Sequence, residues 1–261
     1  MQTANTTNNG RKHAFTLIEL VVVVGAVVVL TGLWLASAVK NSNQVKRAQC
    51  IVNLRRFVLA THIYATENRG RLPEIVVPAA WVWDLPNAAA DALLVNGMEK
   101  KAFYCPGTSP RFDDKLNYLN TAPNSLWSFS TSFHIFGYAA AFTGSSALVL
   151  SNQNTTIFPE QIRVNAFTFL PAPPDYERPL LADATISANP NGTAANPIPA
   201  GSFTSVAGGF APFGLNLPHL SPHLNGTLPA GGNIAYKDGH VQWRKFAEMS
   251  QRASSGSGFW W

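Results

Sequence analysis

Charge is what this 261-residue sequence has least of: Asp, Glu, Lys and Arg together make up 13% of it, about half the usual quarter. The formal net charge is +5, but the basic residues are scattered, in pairs such as Lys46-Arg47 and Arg55-Arg56. Without a basic patch there is no footprint for nucleic acid. Cysteine is nearly absent too. Cys50 and Cys105 allow a single bridge and are too few for a cysteine-based metal cluster. There is no HExxH, no CxxC, no Gly-rich phosphate loop and no Ser/His/Asp order. With no catalytic constellation the chain is not expected to be an enzyme or to need a cofactor. Proline and glycine are missing between Leu33 and Arg69 and crowd into the second half.

What is there begins at Phe15. After Arg11, Lys12 and His13 comes Ala14-Phe15-Thr16-Leu17-Ile18-Glu19, and the run to Val39 carries no further charge. About twenty apolar residues suffice to cross a bilayer as a helix, so 15–39 is expected as a transmembrane segment. The one acid inside it, Glu19, is costly in hydrocarbon and therefore reads as functional. Ala36-Ser37-Ala38 also resembles a signal-peptidase site. That leaves an alternative, an exported binding or hydrolytic protein released after Ala38. The run is longer than the ~7–15 residues of an ordinary signal core, which favours the first reading.

Lys12-His13-Ala14 followed by Phe15-Thr16-Leu17-Ile18-Glu19-Leu20 resembles the N-terminus of type IV prepilins and type II secretion pseudopilins. That resemblance implies cleavage of leader 1–14 after Ala14 by a prepilin peptidase and methylation of the new amine on Phe15. Glu19 would serve assembly. The family usually has glycine where this chain has Ala14. The resemblance further implies a structural subunit of a pilus or secretion pseudopilus, in homo- or hetero-polymers with other pilin or pseudopilin subunits. Its other partners would be an inner-membrane assembly platform and membrane lipid. The chain would be single-pass in a bacterial inner membrane, with its C-terminal domain periplasmic or extracellular, and part of a filament after assembly. Charge counting places the far side of the span in the cytoplasm, because Lys40, Lys46, Arg47, Arg55 and Arg56 follow it. The motif requires the opposite orientation and is followed here, since long domains can be translocated despite that bias.

Beyond Val39 the pattern stays helical. Ile51, Leu54, Val58 and Ala65 recur at helical spacing with Phe57 beside them, and Asn68-Arg69-Gly70 supplies a stop. The expected fold class is α+β and pilin-like. A long N-terminal helix, its exposed half at 40–69, packs on an antiparallel sheet in a globular domain at 70–253. Within that domain Ala88–Val95 reads as a short helix. Ala102–Pro106 reads as a short strand, the alternating run Ser125–Ile135 as a half-buried strand, and Val164–Leu170 and Pro179–Ala182 as weaker strands. The stretch 188–232, rich in Pro, Gly, Asn and Ser and carrying Phe203, Phe210 and Phe213, reads as a long irregular loop. Ser254–Gly258 reads as a flexible linker, so 254–261 would be a flexible aromatic tail whose Phe259, Trp260 and Trp261 dock on a partner or on the protein itself.

Asp238-Gly239 is the strongest turn signal, read as a two-residue type I′ hairpin pairing Tyr236 with Val241 and Ile234 with Trp243. It resembles the prepilin-associated H-x9-DG region, in which a His precedes an Asp-Gly turn; the nearest histidine here, His223, lies fourteen intervening residues before Asp238 rather than nine. Asn53-Leu54-Arg55, Phe103–Pro106 and Leu180–Asp183 look like further landmarks of that group. No metal is expected. A zinc set of His219, His223, Asp238 and His240 lacks helical alignment because Pro218 and Pro222 interrupt it. Calcium on Asp183 and Asp238 is what the resemblance to major pseudopilins makes conceivable, although the turn already accounts for Asp238. If the domain is exported, Cys50 and Cys105 are a disulfide candidate that ties helix to sheet. Closing that loop of roughly 55 residues is worth a few kcal/mol; the alternative is two buried free thiols.

Overall fold

The computed structural model describes residues 16–75, 81–207, 217–254 and 256–261, with the backbone alone at 32–42 and 162–163. Two compact units are present, 1–42 and 43–261. The fold is α+β with antiparallel sheets.

Helix α1, Leu17–Glu67, begins with a reciprocal cap. The Glu19 N–H donates to Thr16 Oγ1 at 3.3 Å, while the Thr16 N–H and hydroxyl donate to Glu19 Oε2 at 2.9 and 2.7 Å. This is a capping box, in which side chains satisfy amides that a helix start leaves unbonded. Leu17, Ile18, Val22, Val28 and Leu30 are exposed. The expected transmembrane span is not found: among the described residues no helix is long and apolar enough to cross a membrane. The single-pass inner-membrane placement is corrected on the same ground.

In the 43–261 unit α1 buries Cys50, Asn53, Leu54, Phe57, Val58, Thr61 and Ala65, the i, i+3, i+4, i+7 stripe of an amphipathic helix. Its centre is Phe57, whose ring meets Phe103, Phe136 and Tyr138 at 5.3, 5.5 and 6.4 Å. The stripe is rotated slightly from the expected one, so Ile51 is only half-buried. The helix stops where the Gly70 N–H reaches the Ala65 carbonyl at 2.7 Å.

Strand β1, Asp84–Pro86, leads into α2, Asn87–Val95, and pairs with β2, Phe133–Ile135. The expected strand over Ser125–Ile135 shrinks to those last three residues. Serine hydroxyls divert the rest: Ser125 Oγ donates to the Asn120 carbonyl and accepts from the Ser128 N–H, and Ser130 Oγ accepts from the Ser132 N–H. Such local bonds compete with a ladder. Ala102–Pro106 is likewise no strand; a 3₁₀ turn over Lys100–Phe103 and another over Pro106–Thr108 leave Tyr104 and Cys105 between them. Strand β3, Tyr138–Ala140, follows, then the hairpin of β4, Gln161–Arg163, and β5, Phe169–Pro171. Next come β6, Pro179–Asp183, and β7, Thr185–Ser187. The small hairpin β8, Leu224–Asn225, and β9, Leu228–Pro229, precedes β10, Gly231–Tyr236, and β11, Val241–Lys245. The main sheet runs β11-β10-β6-β3.

The β10–β11 hairpin differs from expectation by one residue. Asn233 pairs with Trp243 and Ala235 with Val241, and the Tyr236 N–H bonds the His240 carbonyl at 2.9 Å. Gly239 has φ +94° whereas Asp238 is not in the positive-φ region. That fits a three-residue loop, a type I turn closed by a glycine bulge, rather than type I′, which needs positive φ at both positions. A slip of one residue exchanges the faces, so Trp243 shares a side with Asn233.

The expected flexible tail is also corrected. β12, Gln251–Ser254, and β13, Gly258–Trp260, join β7 in a three-stranded sheet, and Phe259, Trp260 and Trp261 are buried. Three aromatics placed on an internal sheet outweigh the glycine and serine before them. Part of the 188–232 stretch is core as well: Ala200, Phe203, Val206, His219 and Ser221 are buried. Phe210 and Phe213 lie outside the described residues.

Asp84 gives the fold a pH dependence. Burial raises its carboxyl to about 7, against the lowering effect of the Trp81 N–H bond at 3.1 Å. Since the folded value lies above the unfolded one, the folded state holds more protons between them, and stability falls as pH rises from about 4 through about 7. Asp84→Asn keeps an acceptor for Trp81 and removes the charge. Urea denaturation across that range should show the variant gaining on the wild type with rising pH, by up to ~4 kcal/mol. A constant difference between the two would reject the assignment. Taking the difference also removes the opposite contribution of His219, which burial lowers to about 4.

Candidate functional site

Four side chains from four separate parts of the 43–261 unit converge in its core. Cys50 comes from the buried stripe of α1, and Cys105 from the extended link between two 3₁₀ turns. Asp183 ends β6, and His223 precedes β8. Each offers one metal-binding atom, and these atoms all lie within 4.8 Å of one another. Cys50 Sγ is 2.7 Å from Cys105 Sγ and 2.7 Å from Asp183 Oδ1. His223 Nε2 is 3.3 Å from Cys105 Sγ and 3.3 Å from Asp183 Oδ2. Both cysteines are free thiols.

A second layer holds the donors. The backbone and side-chain N–H groups of Asn233 donate to Asp183 Oδ2 at 2.7 and 2.9 Å. The Gly107 N–H points at Cys105 Sγ at 3.4 Å, and Tyr138 Oη lies 3.7 Å from Cys50 Sγ. Trp243, brought to this side by the shifted register, packs edge-on against His223 at 5.4 Å and carries the Arg47 guanidinium 3.8 Å over its ring. His223 itself has φ +54°, a left-handed conformation uncommon outside glycine and held where surroundings over-determine it. Gly107 is required by the same closeness, since a Cβ there would sit 2.9 Å from the His223 backbone nitrogen.

The electrostatics follow from this packing. Burial favours the neutral imidazole of His223, but Cys105 and Asp183 overcome it and push the ring up to about 11. Burial likewise works to raise Asp183, yet His223, Cys50 and the Asn233 N–H hold its carboxyl below the usual range. Burial drives the Cys50 thiol well up. For Cys105 burial is outweighed by Cys50 and His223, which bring it below an ordinary thiol. A cleft of about 550 Å³ opens nearby, lined by Asn53, Arg56, Lys101, Tyr104 and Asp114 among others, and of the four donors it touches only Cys105.

No family model, curated protein or solved structure matches this chain. Its resemblance to prepilins therefore rests on its own residues alone.

The sequence-predicted residues fall in several places. Cys50 and Cys105, the disulfide candidate, are brought together as thiols. Asp183 joins them, but Asp238, its proposed calcium partner, stays in the hairpin turn with His240 Nδ1 at 2.6 Å. The zinc set of His219, His223, Asp238 and His240 is not assembled. His219 is packed between Phe112 and Trp83 at 5.3 and 4.6 Å, and only His223 reaches the cluster. Glu19 is exposed in its capping box, where the Thr16 side chain and then its backbone N–H lower its carboxyl. Ala14 and Phe15 lie outside the described residues.

Sequence reasoning missed a buried ion network under the hairpin. Lys237 Nζ donates to the Phe158 carbonyl at 2.9 Å and pairs with Asp175 at 3.2 Å and Glu160 at 3.7 Å. Arg178 pairs with the same Glu160 at 3.0 Å. Two cations face two acids there, and Arg178 also lines a cleft of about 160 Å³ together with Arg244 and Arg252.

Proposed function

We propose that this chain is a structural subunit of a type IV pilus or type II secretion pseudopilus, trimmed between Ala14 and Phe15 by a prepilin peptidase. It would pack through the first part of α1 against the same helix of other pilin-like copies. The observation that carries this reading is the uncovered apolar surface at the start of α1, with Leu17 81%, Ile18 71% and Leu30 65% exposed. A contiguous surface of that kind marks an interaction site. The capping box supports the same reading, because it starts α1 at Leu17 and leaves Glu19 charged beside the place where a new amine would form on Phe15. In a polymer of offset copies, that carboxylate can meet the amine of a neighbour and set the register of incoming subunits. The closed donor cluster fits a structural role rather than catalysis.

The test separates the local role of Glu19 from the intersubunit one. Glutamine serves in a capping box as glutamate does, so Glu19→Gln keeps the helix start and loses the charge. The expected result is an assembled fraction, sheared filament against total cellular protein, reduced at least roughly tenfold, with unchanged melting of the purified chain. Wild-type assembly by Glu19→Gln would remove the pairing. A mature protein that does not begin at Phe15 would remove the processing step.

A further inference from the structure

We propose that Cys50, Cys105, Asp183 and His223 form a Zn²⁺ site that ties α1, the Tyr104–Cys105 link, β6 and the His223 segment into one core. The donor set is the first argument. Two sulfurs, one imidazole and one carboxylate make a mixed soft and borderline set that suits tetrahedral Zn²⁺ and not Ca²⁺ or Mg²⁺, which take six or more oxygens. Geometry is the second. Around zinc, with Zn–S ~2.3 Å and Zn–N or Zn–O ~2.0–2.2 Å, ligand atoms sit ~3.3–3.8 Å apart. Here the contacting pairs are 2.7 and 3.3 Å apart and no pair exceeds 4.8 Å, so side-chain movements of about an ångström bring the four donors around an ion.

Supporting contacts are the third argument. Asn233 holds Asp183 by Oδ2, leaving Oδ1 turned toward Cys50, and the Gly107 N–H faces Cys105 Sγ. Hydrogen bonds to ligands from behind are what orient a metal set. A disulfide between the same cysteines would explain neither the carboxylate nor the strained histidine aimed at the sulfurs. With four protein donors the site is closed, as structural zinc sites are. On binding, each Zn–S bond forms as the thiol, where still protonated, releases its proton to solvent, and the Zn–N bond forms as the His223 imidazolium gives up its Nε2 proton to solvent; no electron moves.

The test uses the full chain, purified under reductant, stripped with chelator and dialysed against Zn²⁺. One zinc per chain should be retained. Co²⁺ in its place should give a thiolate charge-transfer band, and both cysteines should resist alkylation until chelator is added. Cys105→Ser and His223→Gln should weaken retention by more than the ~10–100-fold typical of losing an outer-shell partner, and Asn233→Ala by about that much. His240→Gln, outside the cluster, should retain zinc as the wild type does. The cobalt spectrum and alkylation pattern are read on the wild type, so a variant that fails to fold does not shield the proposal. A reduced wild-type chain that keeps no zinc, or a Cys50–Cys105 bridge in the freshly isolated protein, overturns it.

Discussion

Removal of Phe259, Trp260 and Trp261 is expected to abolish the cooperative unfolding transition of the 43–261 unit. Phe259 meets Trp81 and Trp83 edge-on at 6.0 and 5.0 Å. Trp260 fills the space between Phe203 and Phe246 and donates its indole N–H to Ser187 Oγ at 2.9 Å. Trp261 exchanges backbone bonds with Ser250 at 3.2 and 3.3 Å. Deleting a buried aromatic side chain costs ~3–5 kcal/mol, and three together match the ~5–15 kcal/mol by which whole domains are stable. Strand β13 is also the middle of its sheet, so its loss strips ladder bonds from β7 and β12 together. Thermal or urea unfolding, followed by tryptophan fluorescence, measures this. A chain ending at Gly258 with a wild-type midpoint would show that the segment merely rests on the fold. Trp260→Phe is the graded control, expected to cost ~1–3 kcal/mol through the unpaired Ser187 and the lost ring volume.

The sequence was least informative where local chemistry and tertiary packing disagree. Serines and glycines in 254–258 read as a linker, and only the sheet that receives the aromatics sets strands β12 and β13 on either side of it. Asp238-Gly239 correctly marks a hairpin, but one Asp-Gly pair suits both a two-residue loop and a three-residue loop with a bulge. Lys237 is the first of the three loop residues, and its buried ammonium is tied to Phe158, Glu160 and Asp175. Helix α1 was legible because its buried residues obey a period of 3.6. Its first part carries an apolar run in sequence, yet the described residues hold no membrane-crossing helix.

The donor cluster illustrates a different limit. Each of its four residues stands out in the sequence, but for separate reasons: two as a disulfide pair, one as a calcium candidate, one as the histidine before a hairpin. Cys50, Cys105, Asp183 and His223 are tens of residues apart, so no spacing rule groups them. Only the packing of α1 on the main sheet brings them together. The residue types were the available signal, since two isolated cysteines with an acid and a histidine are a zinc-compatible inventory wherever a fold can gather them.

Asp183 is where that cluster and the fold depend on one another most. Its side chain is fully enclosed and faces four partners: two N–H groups of Asn233, the Cys50 thiol and the His223 ring. In Asp183→Ala those donors lose their acceptor without gaining water. Breaking a buried charge pair by removing one partner costs ~3–5 kcal/mol, and a buried N–H left unbonded costs ~1–3 kcal/mol. We expect a loss of ~4 kcal/mol or more in chelator, where zinc cannot contribute. Asp183→Asn, which keeps one oxygen for Asn233 and loses the charge, should lose about half as much. If the carboxylate acts mainly on the histidine, His223→Gln in the Asp183→Ala background should cost little beyond the single change, a coupling of ~1.5 kcal/mol or more. Urea unfolding of the four proteins at neutral pH measures it. Additive losses would assign Asp183 to β10 through Asn233 alone, and a loss below ~1 kcal/mol for Asp183→Ala would mean that the buried carboxylate holds neither.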